Sequence, residues 1–178
     1  MSVPHVEVLI SKDQIQKRLA ELGAQISAEY GDRTIVMVGV LKGSFMFMAD
    51  LVRHITSPVR VEFIGTKSYE GTTTSGQVQL TKDLDKPIEG ADVLLVEDII
   101  DSGHTIASVL ELLSTRKPRT LRVCTLLDKS ERREVEVPVS YTGFSIPNKF
   151  VFGYGLDIDE YYRNLPFIGV VDLSRYEP

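Results

Sequence analysis

The sequence predicts an α/β protein with a mainly parallel twisted sheet flanked by helices and a small hood lobe built from the chain ends. Three observations carry this. Largely apolar runs at Thr34–Val40, Val59–Ile64, Asp92–Val96 and Thr120–Leu127 read as strands, the near-continuous ones as buried on both faces. Helical stretches interleave with them, and such alternation calls for crossovers and hence a parallel sheet. From Tyr141 on there are only short β-like pieces, YTGFSI, FVFGYG and IGVVDL, with no long helix.

Each element has a local reason. Ser11-Lys12-Asp13-Gln14 is a capping box, a hydroxyl at the N-cap with an amide three residues on. Ile15, Leu19, Leu22 and Ile26 follow at helical spacing, and Gly31 is a natural stop. After TIVMVGV comes LKGS, then a helical stretch SFMFMADLVRHI. Residues 68–83, SYEGTTTSGQVQLTKD, are rich in Gly, Ser and Thr and read as a long mobile loop or a weak hairpin. Ile106, Val109, Leu110 and Leu113 mark the helix behind the Asp92–Val96 strand, which is expected to begin near Thr105. The whole chain reads as one domain, 1–178: a core of about 30–140, a hood from the N-terminal segment and about 141–178, and a lid of about 68–83.

Composition excludes several classes. A net charge of −5 argues against nonspecific nucleic-acid binding. No apolar run approaches the ~20 residues of a membrane helix, and the N-terminus MSVPHVEVLISKD has no signal-peptide pattern. Cys124 is the only cysteine, so no intrachain disulfide forms, consistent with a cytoplasmic protein. It lies in the apolar run RVCTLL and reads as a core residue.

The chemistry concentrates in VLLVEDIIDSGHT, Val93 to Thr105. An apolar run meets Glu97 and Asp98, the end of a strand, where open α/β sheets bind ligands. Asp101, Ser102, Gly103, His104 and Thr105 then turn into a helix. Gly103 permits close approach or positive φ, and successive N–H groups at a helix start make an anion site. The loop suits a phosphate monoester. Like charge keeps the carboxylates off that phosphate. They suit Mg²⁺, a hard cation that prefers oxygen, or the hydroxyls of a sugar. A lone Glu-Asp pair would read as solvated strand-end acids; three acids beside SGHT favour a ligand site. Neither a Walker A nor a G-x-G-x-x-G pattern occurs.

VLLVEDIIDSGHT resembles the phosphoribosyl-diphosphate (PRPP) motif of type I phosphoribosyltransferases. Within them the chain resembles the bacterial hypoxanthine (6-oxopurine) phosphoribosyltransferases, through VGVLKGSFMFMADL, SYEGTTTSG, LLDKSERREVEVPV and GFSIPNKFVFGYGLDIDEYYRNLP. The resemblance implies Mg²⁺-dependent transfer of 5-phosphoribosyl from PRPP to hypoxanthine, with guanine as a second acceptor, giving IMP or GMP and pyrophosphate. Asp101 to Thr105 would hold the 5′-phosphate. Glu97 and Asp98 would hold the ribose hydroxyls, directly or through Mg²⁺. Asp101 would be the general base toward purine N7. Lys129 would donate to O6, Phe150 would stack on the base, and the backbone of Val151 would read its edge. An ammonium has donors only, so Lys129 favours a 6-oxo over a 6-amino group. Asp157 would lie at the base and bind a second Mg²⁺ on the pyrophosphate side. Lys42, Gly43 and Arg163 would hold pyrophosphate, the last with a guanidinium fork suited to it. The Leu41–Lys42 peptide is expected to be cis. Ser68 and Tyr69 would begin a lid that excludes water on closure. The family favours homodimers or homotetramers.

Three positions depart from the family pattern. His104 stands where relatives vary, Asn148 where Asp is common, and Ile158 where Tyr is common. Two rival readings remain open on sequence alone. One is a noncatalytic PRPP or nucleotide sensor, disfavoured by the acidic charge and single-domain length. The other is a transferase for adenine or a pyrimidine, which Lys129 opposes.

Overall fold

In a computed structural model, which describes residues 6–68 and 78–171, the chain forms two sheets and three α-helices among the described residues. The order is β1 (Glu7–Ile10), α1 (Lys12–Tyr30), β2 (Ile35–Leu41), α2 (Phe45–Leu51), β3 (Val59–Ser68), β4 (Val78–Lys82), β5 (Asp92–Ile100), α3 (His104–Ser114), β6 (Thr120–Asp128), β7 (Tyr141–Ser145), β8 (Val151–Phe152) and β9 (Ile168–Val170). The large sheet runs β4-β3-β2-β5-β6-β7, parallel except for β4.

The apolar runs sort by period two. Met37, Leu94, Val96 and Leu126 face α1 and α2, whereas Val38, Val93, Leu95 and Val123 face Ile106, Val109 and Leu113 of α3. Both faces are covered, so the central strands contain few polar residues. The capping box forms in full: Gln14 N–H donates to Ser11 Oγ at 3.2 Å and Ser11 N–H to Gln14 Oε1 at 2.8 Å. Gly31 ends α1 with φ 55°. Cys124 is buried, and burial pushes its thiol up to about 12, as befits a core residue.

β3 runs on to Ser68 and pairs antiparallel with β4, so of the two readings of the 68–83 segment its flanks form the hairpin; Tyr69 lies outside the described residues. Three features differ from expectation. β7 pairs parallel with β6, so the main sheet extends to Ser145 and the hood excludes that strand. β1 was not evident in the sequence; it joins β9 and β8 in a three-stranded sheet and so ties the two ends of the chain together. β5 does not end at Glu97: it pairs with β6 through Ile100, whereas its pairing with β2 stops at Val96. The acids thus lie where one neighbouring strand has departed and the other has not. Among the described residues no helix is long and apolar enough to cross a membrane.

Candidate active site

The loop after β5 is shaped for an anion. Gly103 is the N-cap of α3 at φ 94°, and no side chain caps the helix amides. A β-carbon there would lie 2.7 Å from the Val135 carbonyl oxygen, so glycine is required by both torsion and contact. A cavity of about 90 Å³ opens here, lined by Glu97, Asp101, Ser102, Gly103 and Thr105 among others. Of the expected phosphate residues Asp101, Ser102, Gly103 and Thr105 line it and His104 does not; α3 starts at His104, one residue earlier than expected.

Glu97 and Asp98 are a different environment. Glu97 is 7% exposed. Its Oε1 accepts the Asp98 N–H at 3.1 Å, and Asp98 Oδ1 accepts the Ile99 N–H at 2.7 Å. Burial, then the neighbouring Asp98, pushes the Glu97 carboxyl well above the usual range. Burial also raises Asp98, against the lowering effect of its hydrogen bonds and of Arg163. No ion pair to either carboxylate is present among the described residues. A β-carbon on Gly43 would fall 1.6 Å from Asp98 Oδ2, so the loop after β2 presses bare backbone against this acid.

Two adjacent, desolvated carboxylates without a cation fit Mg²⁺, which takes one or two carboxylates and completes its shell with water and substrate oxygens.

On the far side of the phosphate loop, Lys129 is buried rather than an exposed strand-end lysine. Its Nζ lies 3.3 Å from Asp101 Oδ2, and Arg132 Nε donates to Asp101 Oδ1 at 3.1 Å. A donor and an acceptor thus stand side by side. Phe150 is 43% exposed, a ring left uncovered by the protein. Val151, in contrast, has its side chain buried and its backbone in β8. Of the departures, Asn148 is exposed, whereas Ile158 is buried with Phe152 and Val171, inside the hood.

A second cavity, of about 500 Å³, is lined by Leu41, Lys42, Gly65, Thr66, Lys67, Thr81, Lys82, Glu160 and Arg163. The Leu41–Lys42 peptide is cis, as the resemblance implied. Ser44 does not cap α2: its hydroxyl donates to the Val40 carbonyl at 2.7 Å. Arg163 is held by Gly155 O at 2.8 Å and Asp157 Oδ1 at 3.1 Å. Asp157 Oδ2 accepts the Glu160 N–H at 2.8 Å.

Sequence reasoning missed the buttress behind the phosphate loop. Glu134 N–H and Val135 N–H both donate to Ser102 O, at 2.9 and 3.1 Å. Arg133 Nη1 reaches Asp101 O at 3.3 Å, and its Nη2 pairs with Asp128. His104 Nε2 meets Glu134 Oε2 at 2.8 Å, so the imidazole faces the buttress. The run ERRE after LLDKS reads as a solvated charged turn, and only the parallel β5–β6 register folds it over the loop. Lys67 and Lys82 were also missed: Lys67 lies on β3 just before the 68–83 segment, and Lys82 lies inside it, on β4.

Residues 9–159 match the family model described as a phosphoribosyl transferase domain. The chain belongs to that family. It is 54% identical to a hypoxanthine phosphoribosyltransferase of Haemophilus influenzae, over 98% of this chain and 100% of the relative. It is 46% identical to a hypoxanthine-guanine phosphoribosyltransferase of Bacillus subtilis, over 96% of each. Its fold matches the crystal structure of a hypoxanthine phosphoribosyltransferase from Staphylococcus aureus with a TM-score of 0.92 at 46% identity, covering 97% of this chain and 94% of that one. The first cavity opens at the carboxyl end of β5 and the second at the carboxyl ends of β2 and β3, the side of an open α/β sheet where ligands bind.

Proposed function

We propose that the protein is a purine salvage enzyme that transfers 5-phosphoribosyl from PRPP to hypoxanthine, and also to guanine, giving IMP or GMP and pyrophosphate. The observation that carries this is the Asp101–Lys129 pair, 3.3 Å apart, directly beside the phosphate loop. A 6-oxopurine presents N7 and O6 on one edge. Lys129 donates to O6, and Asp101 accepts the proton released at N7 as N9 attacks C1′. Adenine would offer its amino group to the Lys129 donors, an unpaired clash. Phe150 supplies the exposed ring for stacking.

The remaining roles follow the compartments. Backbone amides of Asp101–Thr105 and the hydroxyls of Ser102 and Thr105 bind the 5′-phosphate. Glu97 and Asp98 hold the ribose and Mg²⁺, and Asp157 a second Mg²⁺. When bound, the metal neutralises charge on the departing pyrophosphate. Lys42, Gly43 and Arg163 orient that group, so the C1′–O bond breaks in line with formation of C1′–N9. Ser68, Tyr69 and the segment to residue 83 act as a lid against water. A homodimer or homotetramer, a cytoplasmic location and no nucleic-acid partner belong to the same reading.

The test is pyrophosphate release from PRPP and Mg²⁺ with competing bases. Release with hypoxanthine and guanine but not adenine is expected; no release with any 6-oxopurine would leave the sensor reading. Asp101→Asn is expected to lower kcat by about 10²–10⁴, the usual worth of a general base, while PRPP binding is retained. Loss of PRPP binding instead would make Asp101 a structural residue.

A further inference from the structure

The cationic cavity is partly answered from within. Glu160 Oε2 lies 2.7 Å from Lys42 Nζ and 3.5 Å from Arg163 Nη2, the two cations assigned to pyrophosphate. We propose that Glu160 is a built-in anion that occupies the pyrophosphate cations of the empty enzyme and is displaced by the diphosphate of PRPP. The proposal rests on the reading of this cavity as the pyrophosphate site.

Placement and mobility both favour displacement. The backbone holds Glu160 at the cavity: its N–H is tied to Asp157 Oδ2 at 2.8 Å, and Asp159 and Glu160 both adopt positive φ, 51° and 71°. The side chain itself is held by little else, being 64% exposed. The cavity has more cation than one carboxylate can satisfy. Lys67 lines it without a hydrogen-bond or ion-pair partner among the described residues, whereas Lys82 is spent on Asp83 O and Asp85. A diphosphate is longer and more highly charged than a carboxylate, so it can bridge Lys42, Arg163 and Lys67 together. Exposed ion pairs shift equilibria by only about two- to fivefold, so the plug is weak enough to yield. Its effect is to relax affinity for PRPP and to assist departure of pyrophosphate.

The experiment is calorimetric titration of inorganic pyrophosphate with Mg²⁺ into the wild-type, Glu160→Gln and Arg163→Gln proteins, with KM for PRPP measured alongside. Glu160→Gln is expected to bind pyrophosphate about threefold tighter, in line with exposed-pair energies, and to lower KM for PRPP. Arg163→Gln is expected to bind it at least about tenfold more weakly. Equal or weaker binding by Glu160→Gln, with the loss intact in Arg163→Gln, overturns the plug and leaves the pyrophosphate site standing. Arg163→Gln indistinguishable from wild type overturns the site, and the plug with it. A gain in affinity is a result that mere structural damage does not produce.

Discussion

The two ends of β5 carry buried acids with opposite fates. At the amino end, the Asp92 side chain has no solvent exposure and is surrounded by partners: Arg119, Arg33 at 3.4 Å and the Thr120 hydroxyl at 2.8 Å. The Arg119 hydrogen bond holds its carboxyl below the usual range, against the raising effect of burial. At the carboxyl end, Glu97 is buried and Asp98 half-buried, neither with a cation of its own among the described residues, and both are pushed up. The hydrogen bond from Arg119 is the leading cause at Asp92, whereas desolvation leads at Glu97 and Asp98, where no cation offsets it among the described residues. One end fastens the fold, since Asp92 joins residues flanking β2, β5 and β6. The other has no cation of its own among the described residues, and its carboxyls are pushed toward the protonated form.

Substitutions at the two ends are expected to separate function from stability. Asp98→Asn is the larger effect: on the proposed reading it removes a metal and ribose ligand, worth several kcal/mol, on the order of 10³-fold in kcat/KM, with the melting temperature of the empty protein unchanged or raised. Asp92→Asn is expected to do the reverse. Breaking a buried ion pair costs about 3–5 kcal/mol, and the low end of that range applies because Arg119 and Arg33 are about half exposed and can turn to water. For a chain this size that is roughly a 10 °C loss in Tm, with the Mg²⁺ dependence of the remaining activity unaltered. Urea unfolding and steady-state kinetics on both variants check the pair; a kinetic defect in folded Asp92→Asn, or a large stability loss in Asp98→Asn, would erase the contrast.

A smaller effect sharpens it through pH. Glu97 and Asp98 bind protons more tightly folded than unfolded, so they add stability at low pH and lose it as pH rises above about 4, the unfolded carboxylate value, toward their raised folded values. Asp92 has the opposite sign: its contribution is present above about 3.9 and disappears as pH falls through its lowered folded value. In thermal melts of the empty protein, Glu97→Gln/Asp98→Asn is expected to flatten the decline toward neutral pH, and Asp92→Asn the decline at acid pH. Exchanged limbs would contradict the assignment.

How much was legible in the sequence follows the same division. Period-two and helical patterns marked the central strands and the three helices, because those elements bury continuous apolar faces. The short β-like pieces at Phe150–Gly155 and Ile168–Leu173 do hold β8 and β9, but β1 and the pairing of all three were not legible, because pairing between distant segments decides them. VLLVEDIIDSGHT announced an anion loop beside acids, but nothing local distinguishes Asp92, which is fastened, from Asp98, which is not. That difference lies in Arg33 and Arg119, brought in by neighbouring strands. Lys129 shows the same limit: its pairing with Asp101 depends on β5 and β6 running side by side to Ile100 and Asp128. The second cavity, which we propose takes pyrophosphate, draws residues from β2, β3, β4 and the hood, so no single window could reveal it.

The most direct test of the central claim is the proton count when Mg²⁺ and PRPP bind. If Glu97 and Asp98 hold a proton between them in the empty protein and surrender it to a metal-bound ligand, calorimetry in buffers of different ionisation enthalpy will show proton release near neutral pH, absent in Glu97→Gln/Asp98→Asn. Release that is zero in the wild-type protein, or unchanged in that variant, would contradict the account.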